Sequence, residues 1–173
     1  MHSNNTNHEK IRRIVLTGLF AAFITVATLA SFPLPGKGYA NLGDAFIIVT
    51  SLLLPAGYGF LAAGIGSALA DLILGYAVFA PGTFVIKGLM ALAVYFIASK
   101  RKNLLFVILG AIVAELIMIG GYLLYGGALF GFAGALEDLL GNVVQGAIGI
   151  VLGVTAHTVL EKTGIAGAIR KDK

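Results

Sequence analysis

Asp44, Asp71, Lys87 and Glu115 each interrupt a segment that is otherwise apolar enough to lie in a bilayer. Ionisable side chains in that setting are costly, so they face a cavity, a partner or a solute rather than lipid. Three kinds of chemistry are open to them: an ion pair tying helices together, a proton relay, or directed contacts to a bound ligand. Neighbouring polar groups extend the set. Glu115 lies as far before the end of one apolar run at Leu124 as Gln145 lies after the start of the next at Leu136. At the helical rise both sit about 13 Å down. Asn142 is nearly one turn above Gln145, so Glu115, Asn142 and Gln145 are expected to converge on one pocket from two antiparallel helices. Asp71 and Lys87 fall about a turn before and a turn after a shared loop, which predicts an Asp71 to Lys87 ion pair between antiparallel neighbours.

Aromatic residues stand near the outer ends of the same segments. Tyr39, Asn41, Tyr76 and Tyr122 are placed to cover such a pocket and to stack on a flat ring, although interfacial tyrosines also serve as plain membrane anchors. Aromatic walls with a few directed polar groups suit a small heteroaromatic molecule. Within the set, Asp44, Asp71 and Glu115 outnumber Lys87. That balance disfavours a polyanion such as a nucleotide and favours a neutral or weakly basic ligand.

Catalytic chemistry finds little support. The chain has no cysteine, and its histidines, His2, His8 and His157, are too scattered for a metal site or a triad. Gly36-Lys37 is followed by Gly38 and lacks the upstream glycine of a phosphate-binding loop, so the chain is not expected to hydrolyse ATP. No cofactor is expected.

The elements that must position these groups are helices in a membrane. Of 173 residues, 58% are hydrophobic and 12% charged, with a mean hydropathy of +0.96. A water-soluble core cannot hide that much apolar surface. The length suits one transmembrane domain, with a polar leader at 1–13 and a basic tail at 161–173. The net charge of +4 is not spread along a nucleic-acid face. Ten of the twelve Lys and Arg fall in three clusters: Lys10, Arg12 and Arg13; Lys100, Arg101 and Lys102; and Lys162, Arg170, Lys171 and Lys173. If all three face the cytoplasm, the intervening runs cross an even number of times.

The runs are Ile14–Phe32, Asp44–Leu54, Tyr58–Gly75, Thr83–Ser99, Leu104–Leu124 and Leu136–Leu160. Breaks come at Pro33–Gly38, at Pro55-Ala56-Gly57, at Tyr76–Gly82 and at the Gly-rich stretch Tyr125–Ala135. The reading is an all-α, six-helix, multi-pass bundle of a bacterial plasma membrane, with both termini cytoplasmic. A signal peptide cleaved after Ala30 competes, but the long polar leader and the parity of the spans oppose it.

Small residues recur at four-residue spacing, as in Ala62 and Gly66, Gly66 and Ala70, Gly110 and Ala114, and Gly149 and Gly153, and such pairs let helices approach closely. Gly18 and Ala22 form a further pair near the inner end of the first helix, where a membrane partner could dock.

The run Asn41-Leu42-Gly43-Asp44-Ala45-Phe46, then Ala70-Asp71-Leu72-Ile73-Leu74-Gly75-Tyr76, then Phe79-Ala80-Pro81-Gly82-Thr83 through Lys87 to Ala91, resembles the substrate-binding (S) component of energy-coupling factor vitamin transporters. It is most like the branch assigned to hydroxymethylpyrimidine, pyridoxine or riboflavin, and the likeness covers essentially the whole chain. The resemblance implies one transmembrane coupling (T) protein and two cytoplasmic ATPase subunits as partners, with this chain capturing the vitamin from outside. It implies that the family's Ala-x-x-x-Ala docking signature falls on Gly18 and Ala22, with glycine replacing the first alanine. It also implies a pocket built from outer loops and the outer halves of the later helices, and reorientation in the membrane to release substrate. The alternative is a proton-coupled secondary carrier acting alone, with Glu115 or Asp71 protonated. No inverted repeat or pair of broken helices supports it.

Overall fold

Helix α1 runs 28 residues from His2 to Leu29, so the polar leader is continuous with the first apolar segment rather than separate from it. The structure, a computed structural model, describes residues 2–33, 39–100 and 103–170. After α1 the chain makes a small antiparallel hairpin, β1 Ser31–Pro33 against β2 Tyr39–Asn41, with Ser31 opposite Asn41 and Pro33 opposite Tyr39. The strands correct the expectation of a purely helical chain: the two sides of the first loop satisfy each other's backbone groups instead of leaving them open. Lys37 lies outside the described residues.

Helix α2, Gly43–Leu53, follows. Its eleven residues span about 16 Å at the helical rise, roughly half of the hydrocarbon thickness. It ends where Leu54 turns extended (φ −101°, ψ 155°) before Pro55, as the proline ring requires of its predecessor. Among the described residues, five helices are long and apolar enough to cross a membrane; α2 is not. Instead α2 is almost wholly buried and packs against its neighbours as a central strut.

Helix α3, Ala56–Leu74, ends at Gly75, whose φ of +86° is left-handed and whose N–H bonds back to Asp71 and Leu72. Only glycine takes that conformation without steric cost. Helix α4, Ala80–Ala98, has a proline in its first turn, where a missing N–H costs nothing. Asn103 caps α5, Leu104–Phe130, by accepting from the Leu105 N–H at 2.9 Å. This helix runs through much of the stretch expected as a Gly-rich loop. In an apolar setting Gly126 and Gly127 do not end it, and Gly127 lies against the Phe132 ring. The remainder forms the short α6, Phe132–Glu137, followed by α7, Leu139–Lys162, and α8, Ile165–Arg170.

The core is built around Ile24, Ile47, Ile48, Met90, Val94, Ala111, Ala114 and Met118. Small residues set the helix spacing. On α3, a Cβ at Gly64 would lie 2.8 Å from the Phe84 carbonyl of α4, and one at Gly66 would lie 2.5 Å from the Ala21 carbonyl of α1. Thr25 of α1 reinforces the second contact by donating to Gly66 O at 2.8 Å. On the outside, Leu61, Ile65, Leu69 and Leu72 of α3 are exposed, as are Leu105, Leu109 and Leu116 of α5. The protein is a multi-pass helical membrane protein.

The ends of the bundle differ. At one, Arg12 donates to the carbonyls of Ala168 and Ile169, and Ala166 of α8 is fully buried, so α8 closes that end beside the start of α1. The hairpin, the α3–α4 turn and α6 gather at the other.

Candidate functional site

A cavity of about 380 Å³ opens among the hairpin, the α3–α4 turn and α6. Its size falls in the range of small-molecule sites. Asn41, Tyr76, Lys87, Tyr122, Asn142 and Gln145, all singled out from the sequence, line it. They arrive from the hairpin, the α3–α4 turn and helices α4, α5 and α7, which explains why no local motif describes the site.

One polar network forms the floor. Asp44, at the start of α2 and fully buried, takes Lys87 on Oδ1 and the Gln145 amide on Oδ2 at 2.6 Å. Gln145 Oε1 accepts from Asn41 Nδ2 at 3.0 Å, and Asn41 Oδ1 accepts from the Gly43 N–H at 2.9 Å. Charge-assisted bonds, which are stronger than neutral ones, thus join α2 to α4 and α7, and neutral amide bonds tie the hairpin to the same network. The Lys87 ammonium also lies 5.5 Å from the centre of the Tyr122 ring, a favourable cation–π distance. Tyr122 in turn shares a 3.0 Å hydrogen bond with Thr83.

The ion pair expected between Asp71 and Lys87 is corrected by this arrangement, because Lys87 pairs with Asp44. Equal depth was a sound inference, but the helical phase of α4 turns Lys87 toward the N-terminus of α2. Asp71 lines the cavity from α3, with the Thr83 hydroxyl nearby.

Glu115 is placed differently from its expectation. It is 2% exposed and absent from the cavity wall, packed beneath the floor. A Cβ at Gly149 would lie 2.8 Å from Glu115 Oε1 and 3.0 Å from Asp44 Cβ, and one at Gly146 would lie 3.2 Å from Glu115. The two glycines of α7 make the room that this carboxylate occupies. Both of its oxygens lack a hydrogen-bond partner.

The remaining wall was not read from the sequence. Phe79 and Phe130 stack at 5.6 Å between ring centres, and Phe79 lies 6.1 Å from Tyr125. Tyr125 donates to the Val78 carbonyl at 3.0 Å, tying α5 to the α3–α4 turn. Ser67 and Thr83 add hydroxyls. Each stands four residues before a charge already identified, Asp71 and Lys87, and that helical spacing was the available signal. The Tyr39 side chain lies outside the described residues. Gly18 and Ala22 do not line the cavity but lie on an exposed face of α1, and a Cβ at Gly18 would meet nothing within 4 Å.

Residues 8–162 match the family model of the ECF-type riboflavin transporter, S component. The chain belongs to this family. Two relatives extend the comparison. A Pyrococcus woesei protein described as an uncharacterized protein in a gap 3′ region is 35% identical over 80% of this chain and 95% of its own. The thiamine precursor transporter HmpT of Lactococcus lactis subsp. cremoris is 27% identical over 95% of this chain and 97% of its own. An S component is a part of a transporter rather than an enzyme, and the family implies work alongside T and ATPase components.

Proposed function

We propose that this S component captures a small water-soluble vitamin or vitamin precursor at the outer face of the membrane and presents it for ATP-driven uptake. The observation that carries the reading is the cavity itself: a polar floor pinned by Asp44 and Lys87, aromatic walls, and a size suited to a small heteroaromatic molecule. Hydroxymethylpyrimidine or pyridoxine fits best, with riboflavin next, and the thiamine-precursor transporter among the relatives favours the first. Asn41, Tyr76, Lys87, Tyr122, Asn142 and Gln145 are the contact set, with Tyr39 at its edge and Asp44 holding Lys87 and Gln145 in place.

In this reading α2 joins the five long helices in a six-helix bundle. The basic clusters near α1, between α4 and α5 and after α7 face the cytoplasm, so both termini lie inside and the cavity opens outward. The exposed Gly18 and Ala22 face of α1 docks the T protein, which couples to two ATPase subunits.

One observation favours a second reading. The buried Glu115 carboxylate, unpartnered beside an ion pair, is the kind of group a proton-coupled carrier uses. Uptake assays in proteoliposomes separate the two. The S-component reading expects transport only with the T and ATPase subunits and ATP, insensitive to a protonophore. Transport by this chain alone, abolished by the protonophore, would establish the carrier.

A further inference from the structure

The α3 wall of the cavity carries two polar side chains that the floor network does not use. Ser67 and Asp71 both line the cavity, four residues apart and therefore neighbours on one helix face. They are 1% and 8% exposed, and Ser67 Oγ and Asp71 Oδ2 have no hydrogen-bond partner. Buried polar atoms are rarely left so.

Local geometry does not explain the pair. Ser51, also buried in a helix, satisfies its hydroxyl by donating to the Ile47 carbonyl four residues back at 2.6 Å. Ser67 does not. Thr50 Oγ1 is likewise unpartnered, but it stands away from the cavity. On the opposite side, Lys87 is held by Asp44, and Gln145 spends its amide on Asp44 and its carbonyl on Asn41. Among the described residues, the buried polar atoms of the cavity wall that lack a partner are therefore both on α3.

We propose that Ser67 and Asp71 form the specificity edge of the site, reading a planar heterocycle through an N–H or O–H donor on its ring edge next to an acceptor. An ionised carboxylate can only accept, so the ligand must bring the donor, whereas the serine hydroxyl can donate to the neighbouring acceptor. This assignment rests on the ligand-capture reading above and adds to it the residues that choose among heterocycles.

The test uses matched ligand pairs on the purified protein in detergent, read by calorimetry. Each parent is compared with a counterpart lacking the donor: 4-amino-5-hydroxymethyl-2-methylpyrimidine with its 4-methyl analogue, pyridoxine with 3-deoxypyridoxine, and riboflavin with N3-methylriboflavin. For the parent that binds, the wild type is expected to prefer it over its counterpart by more than about tenfold, the worth of a charge-assisted bond. Asp71→Asn and Ser67→Ala, checked for unchanged thermal unfolding, are each expected to reduce that preference, Asp71→Asn to within about threefold. A parent that binds with its preference intact in both variants would overturn the inference alone. Binding by none of the parents would overturn the capture reading and the inference with it.

Discussion

Replacing Lys87 with methionine should damage the fold more than replacing Asp44 with asparagine, although the two residues form one ion pair. Their side chains are 5% and 1% exposed, so neither charge has water to fall back on. The difference lies in what remains. Asp44→Asn leaves Lys87 beside Glu115, a second buried carboxylate in its electrostatic range, and the new amide oxygen can still accept from Gln145. That substitution should cost about 1–3 kcal/mol, as for loss of a hydrogen bond to a charged group. Lys87→Met leaves Asp44 buried beside the Glu115 carboxyl group with its cation gone. Breaking a buried pair in that way costs about 3–5 kcal/mol. Adding Asp44→Asn to Lys87→Met should restore at least half of the loss. Unfolding by SDS in mixed micelles, followed by far-ultraviolet circular dichroism, measures all three. Equal losses for the single variants, or a double variant no better than Lys87→Met, would refute the idea that Asp44 depends on Lys87 more than Lys87 depends on Asp44.

Three further outcomes follow from the packing. Glu115→Gln should leave ligand affinity within about threefold and stability within about 1 kcal/mol, since its oxygens have no partner and it lies below the cavity; a loss beyond tenfold in calorimetry would mean that the carboxylate reaches the ligand. Gly64→Ala should destabilise the protein by about 1–3 kcal/mol in the same SDS titration, because the new methyl group meets a backbone carbonyl of α4 that no rotamer change can move. Wild-type stability would show that α3 and α4 can slide apart. Gly18→Leu should abolish co-purification with the T protein while leaving ligand binding unchanged, as its position on α1 is open; loss of binding instead would make this face a support of the cavity.

The sequence was most informative where a residue type was expensive in its setting. Buried charges and amides such as Asp44, Lys87 and Gln145 announced a site because lipid tolerates them poorly, and the depth argument brought Asn142 and Gln145 to the same cavity. Partner choice was not legible. Whether Lys87 meets Asp71 or Asp44 depends on the rotation of α4 about its axis, which depth along the helix leaves open. Glu115 shows the same limit: the small Gly146 and Gly149 let it sink against α7 instead of lining the cavity. Hydropathy also marked α2 as a span, since it is as apolar as its neighbours, yet its length before Pro55 makes it a buried strut. The aromatic wall escaped notice because phenylalanine in a membrane helix is ordinary, and Phe79 and Phe130 meet only when α5 runs past the length of a normal span.

The central claim is that this chain binds its substrate without help from its partners. Native mass spectrometry of the purified protein in detergent, titrated with hydroxymethylpyrimidine, pyridoxine, riboflavin and thiamine, tests it directly. A one-to-one complex with a single member of the panel, retained in the absence of T and ATPase subunits, is the expected result. No complex with any of the four would contradict it.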